Sequence, residues 1–111
     1  APEVVKDEPS DFKSDIWSLG VILYALIGSG VPFSGRDRDT TAHNIINQEL
    51  SFDRSVWQTV SKECKDLLRK MLIKDQDERI SINEVVKHAW FANWVLKLRY
   101  SNARYCTLRV Q

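Results

Sequence analysis

Apolar positions fall into blocks of different kinds along this chain. From Ile16 to Ile27 ten of twelve residues are apolar, with Ser18 and Gly20 the exceptions, so a helix there is hydrophobic nearly all round and must be central and buried. A strand is the rival reading of an apolar run. Twelve residues is long for a strand, however, Leu and Ala are good helix formers, and GSG at 28–30 supplies a C-terminal stop. VPFSGRDRD is turn-rich, and after it Asp39 or Thr40 can cap a short helix to about Gln48, with Ala42, Ile45 and Ile46 on one side. Residues 49–60 show no sustained period and read as a loop pinned by Leu50, Phe52 and Trp57.

The second half is more regular. Cys64, Leu67, Leu68, Met71 and Leu72 recur at i, i+3, i+4, i+7 and i+8, while Lys62, Lys65, Asp66, Arg69 and Lys70 lie outside that stripe. A further stripe follows at Ile82, Val85, Val86, Ala89 and Trp90. Its start is specified by a capping box, Ser81 with Glu84, and by the staple pair Ile80 and Val85. With no alternating pattern or repeat, the expected fold is an all-α bundle around a buried helix at about 15–27.

Composition narrows the class without naming a partner. At 111 residues and 43% apolar content the chain is one domain, or part of one. Its net charge of +1 is unevenly placed: residues 92–111 hold Lys97, Arg99, Arg104 and Arg109 and no acid, which leaves −3 for residues 1–91. Cys64 and Cys106 form neither a disulfide framework nor a zinc motif, so a reducing, intracellular setting, cytoplasmic or nuclear, is expected. No charged-then-apolar leader opens the chain, and Ile16–Ile27 falls short of the roughly 20 residues that span a bilayer, so no membrane association is expected. His43 and His88 lack metal-ligand spacing, and Cys64 lies on an apolar stripe, so all three read as structural.

One ordered series of motifs carries more. APE at 1–3, then SDIWSLGVILYALI, VPFSG, KDLLRKMLIKDQDERIS and EVVKHAWF, resembles the C-terminal part of the large lobe of a eukaryotic serine/threonine protein kinase. It is most similar to the calcium/calmodulin-dependent group, although Gln76 and Ala89 stand where that group usually has Pro. The resemblance divides the chain into a lobe fragment, 1–91, and a basic, aromatic-containing extension, 92–111.

The resemblance also implies roles. Asp15 matches the residue that anchors the catalytic loop on the buried helix; the bland alternative is a carboxylate complementing the positive end of its helix. Glu3 and Arg79 match a buried ion pair tying the end of the activation segment to the loop before the last helix. Without the resemblance they are two charges with no reason to meet. Trp17 and Gly20 support the core, the indole by filling it and the glycine by letting another backbone approach.

Phosphoryl transfer needs a Gly-rich loop, a Lys for the phosphates, an Asp as base and an Asp holding magnesium, and none of those motifs occurs in this sequence. GSG and SGRD lack the strand–loop–helix setting of a phosphate cradle. The expectation is therefore a fragment with no catalytic, cofactor or metal residues of its own, inactive alone, whose parent uses ATP and Mg and acts on protein substrates. Its partners would be the rest of the kinase domain. A pseudokinase scaffold is the alternative. For the tail three readings stand open: a calmodulin-binding helix with Trp94 and Leu98 as anchors, an extension packed on the lobe with its Arg residues solvated, and a weak nucleic-acid contact, which is not expected.

Overall fold

A computed structural model describes residues 1–93. Helices run from Pro2–Val5 (α1), Lys13–Gly28 (α2), Arg38–Asn47 (α3), Lys62–Met71 (α4) and Ile82–Lys87 (α5), with a 3₁₀ turn at Ser55–Thr59. Among the described residues there is no strand, and no helix is long and apolar enough to cross a membrane. The described residues are all-α, as their periodicities indicate.

α2 is the axis, and α4 and the 3₁₀ turn pack against it. One core cluster joins Trp17 and Tyr24 of α2 to Phe33, Trp57, Cys64, Leu68 and Leu72; a second joins Ile16 to Leu67, Met71, Ile80 and Val85. The α4 stripe supplies both clusters because its two rows, 64–68–72 and 67–71, diverge around the helix. Trp17 stacks on Phe33 with ring centroids 5.6 Å apart. Trp57 is fully buried between Tyr24 and Phe52, at 4.5 and 4.8 Å.

Two glycines of α2 are required by this packing. A Cβ at Gly20 would sit 3.0 Å from Met71 Cβ and Leu72 Cδ2, and one at Gly28 would overlap the Trp57 ring. What approaches Gly20 is therefore the side chains at the end of α4, where the sequence suggests another backbone. α2 ends on Ser29, which takes the left-handed conformation at φ 56°; the stop falls on the serine of GSG, with neither glycine at positive φ.

Local expectations differ from the structure in four places. The opening residues, for which the sequence pattern predicts no element, form α1 with Pro2 at its start, where a missing N–H costs nothing. α3 begins earlier than expected: Asp37, two residues before Asp39, accepts the Thr40 N–H at 2.7 Å. Within the loop at 49–60 the segment around Trp57 closes into a 3₁₀ turn. The last stripe is broken, because α5 stops at Lys87, His88 is extended and helix resumes at residue 89. Val85 is buried, yet Ile82 and Val86 are more than half exposed. The capping box at Ser81 and Glu84 forms with both reciprocal bonds.

Candidate functional site

The most elaborate polar arrangement is centred on Arg79. A tight turn presents it: Asp75 Oδ1 accepts the Asp77 N–H, and the Asp75 carbonyl accepts the N–H of Glu78 and Arg79. Nε then donates to the Ile73 carbonyl at 2.9 Å. One terminal nitrogen donates to Glu3 Oε1 at 2.8 Å and the Lys13 carbonyl at 2.7 Å, the other to Glu3 Oε2 at 3.0 Å and the Lys74 carbonyl at 3.2 Å. Every N–H of the guanidinium has an acceptor, and its carbon lies 5.2 Å from the Trp17 ring centroid.

Glu3 reaches the centre from the first turn of α1 and also accepts the Ser14 hydroxyl at 2.8 Å. The side chains of Arg79 and Glu3 are 0% and 2% exposed. The hydrogen bonds from Arg79 hold the Glu3 carboxyl down at about 2 against the cost of burying its charge. A bidentate, buried and fully bonded pair joins residues 76 positions apart. The same turn is stitched to the segment before α2 by Gln76, which donates to the Pro9 carbonyl at 2.8 Å, and to the first residue of α2 by Lys13, whose Nζ donates to the Asp77 carbonyl at 3.2 Å.

The other predicted residues lie as follows. Asp15 is exposed in the first turn of α2, at the head of an exposed apolar stripe, Leu19, Ile22 and Leu26, spaced four, seven and eleven residues beyond it. Trp17 and Gly20 are buried. The candidate tail anchors, Trp94 and Leu98, lie outside the described residues.

Sequence reasoning missed the Ser14 bond, the use of backbone carbonyls by Arg79, the Gln76 stitch and the role of Lys74. Lys74 Nζ donates to the Ile45 carbonyl at 2.6 Å and lies 4.2 Å from the Phe33 ring centroid, and burial lowers its pKa. Its signal was a lysine two residues after the α4 stripe, too common to single out.

Chemically this centre holds segments together. The described residues do not fit ATP or magnesium. The space before Gly28, Gly30 and Gly35 is filled by Trp57, Arg54 and Thr40, so none can cradle a phosphate. Among the described residues no His, Cys, Asp or Glu group could hold a metal. Burial pushes the Cys64 thiol up, away from nucleophilic use. His43 is exposed beside Asn47, and His88 is bonded to Asp66.

Comparison with known proteins places this geometry. Residues 1–91 match the protein kinase domain family. The serine/threonine-protein kinase PEPKR2 of Arabidopsis thaliana is 43% identical over 90 residues, 81% of this chain and 19% of that protein. Myosin light chain kinase 2, skeletal/cardiac muscle, of Mus musculus is 38% identical over 104 residues, 94% of this chain and 17% of that protein. In structure the chain resembles the twitchin kinase region from C. elegans, with a TM-score of 0.79 and 34% identity over 82% of this chain and 16% of that one. The chain thus spans about a fifth of the length of the curated relatives it matches. The turn that presents Arg79, the helix that presents Glu3 and α2, buried on one face and exposed along Leu19, Ile22 and Leu26, are parts of one known lobe, and the chain belongs to the protein kinase domain family.

Proposed function

We propose that the chain is the helical base of the large lobe of a serine/threonine protein kinase that transfers phosphate from Mg-ATP to protein substrates. The observation that carries this reading is the buried Glu3–Arg79 pair, which fastens the APE segment to the turn before α5 within residues that match the family. The chain contributes scaffold, and the phosphate-binding and base residues belong to the preceding part of the parent. The division between lobe and extension falls at residues 91 and 92, and the setting is intracellular.

The exposed stripe of α2 supports a receiving role. A nonpolar face headed by a carboxylate suits a loop that offers backbone N–H groups to Asp15 and apolar side chains to Leu19, Ile22 and Leu26. In the parent that loop is the catalytic loop, and Asp15 is its anchor.

The test compares purified 111-residue chain with the full-length parent, each with Mg-ATP and a protein substrate. Transfer by the parent and none by the chain is expected. Transfer by the chain overturns the scaffold reading, and no transfer by an otherwise folded parent selects the pseudokinase alternative. A second reading rests on the tail, where Trp94 and Leu98 interleave with Lys97 and Arg99: calmodulin binds it as a basic amphipathic helix. Calcium-dependent binding that is lost on Trp94→Ala supports that partner, and its absence in the intact chain removes it.

A further inference from the structure

His88 occupies the break in the last helical region. α5 ends at Lys87, His88 is extended at φ −63° and ψ 146°, and the chain is helical again from residue 89. The imidazole bridges this break to another element. Its Nε2 lies 2.7 Å from Asp66 Oδ2 on α4, and its Nδ1 lies 3.1 Å from the Trp90 backbone nitrogen.

These two contacts specify a protonation state. A backbone N–H can only donate, so Nδ1 must present a lone pair; an ionised carboxylate can only accept, so the ring proton sits on Nε2. The neutral Nε2–H tautomer satisfies both partners at once. In that state His88 works as a cap, accepting a first-turn N–H as Ser61 and Ser81 do for α4 and α5.

We propose that His88 is a pH-operated clasp that holds the start of the helical segment at residue 89 when neutral and releases it when protonated. A proton on Nδ1 would face the Trp90 N–H, donor against donor, in a side chain that is 8% exposed. The bond to Trp90 cannot survive that change, and both donors are left without acceptors.

The charges around the ring act on the same equilibrium. From α4, Asp66 favours the protonated ring, but it is 48% exposed and shares its charge with Lys70 at 2.8 Å, so its pull is screened. Lys70 opposes protonation. Glu84 of α5 and Glu78 of the preceding turn line the same concavity, and both are exposed. The ion pair with Asp66 can therefore outlast the clasp: on protonation the ring stays with α4 and lets go of Trp90. Trp90 touches both core clusters and Phe91 the second, so release loosens a segment that otherwise closes the end of the core.

The experiment follows ring nitrogen signals of His88 and exchange of the Trp90 amide by NMR, on the intact chain, from about pH 8 to about pH 5, the range in which histidine changes charge. At the upper end the Nε2–H tautomer is expected. As the ring protonates, Trp90 protection should fall roughly tenfold after correction for the intrinsic pH dependence, the scale of one lost hydrogen bond. His88→Asn can accept the same N–H through Oδ1 without titrating, so its Trp90 protection should not change with pH. An Nδ1–H tautomer, or Trp90 protection unaffected by ring protonation, overturns the proposal, and so does an equal loss in a folded Asn variant. Should that variant fail to fold, the wild-type titration decides alone.

Discussion

Ser14 and Asp15 are consecutive residues of one helix turn in opposite surroundings. The Ser14 hydroxyl turns to Glu3 and joins a centre in which each N–H of Arg79 has an acceptor. Asp15 stands exposed above Leu19, Ile22 and Leu26, at 43, 56 and 78% exposure. The first region is finished within this chain, and charge burial there is compensated atom by atom. The second is open, an apolar face that no described residue covers. The difference separates a contact completed within the chain from a face that, under the proposed function, receives the rest of a kinase domain.

The largest test of the finished region removes one member of the pair. Arg79→Ala or Glu3→Ala leaves the other charge buried without its partner, and either should lower the unfolding free energy of the chain by about 3–5 kcal/mol in urea titration. A loss under about 1 kcal/mol, the worth of a surface pair, would place both groups in water.

Acid probes the same region without mutation. The Glu3 carboxyl is lowered from 4.5 to about 2, so its contribution is fully present above the unfolded value and is lost as pH falls through the folded one. Stability should therefore decline between about pH 4.5 and pH 2, by on the order of 3 kcal/mol from this group. Glu3→Gln should remove that part of the decline.

Gly20→Ala tests the seam between α2 and α4. A methyl 3.0 Å from Met71 and Leu72 forces the end of α4 outward, at a cost of about 1–3 kcal/mol in the same urea titration. The smallest effect belongs to the open face. Leu26→Lys, at a position 78% exposed, should change the stability of the chain by less than about 0.5 kcal/mol, yet lower phosphoryl transfer by the parent kinase. A large loss of stability in the chain itself would mean that this face is already covered.

Much of the fold was legible because it rests on periodicity and caps. The α4 stripe and the Ser81–Glu84 box are local patterns, and both form as the sequence specifies. The break at His88 was not legible, since an uninterrupted stripe from Ile82 to Trp90 suggests one helix. The ring's bond to Asp66 and the burial of Val85 alone among its neighbours come from tertiary contacts, and its bond to Trp90, two residues on, forms only because the helix breaks there. α1 is too short to announce itself by period. The Glu3–Arg79 contact was reachable through family resemblance alone: no local rule pairs charges 76 residues apart. The carbonyls of Ile73, Lys74 and Lys13 that complete it carry no side-chain signature at all.

The central claim is that Glu3 and Arg79 act as one unit that ties the APE segment to the turn before α5, and a double-mutant cycle measures this most directly. Urea unfolding of the chain, Glu3→Ala, Arg79→Ala and the double variant gives the coupling energy. The account predicts that the double variant loses clearly less than the sum of the two single losses, with a coupling above about 1 kcal/mol, because each single change strands a buried charge and the double change strands none. Effects that add to within about 0.5 kcal/mol would contradict it.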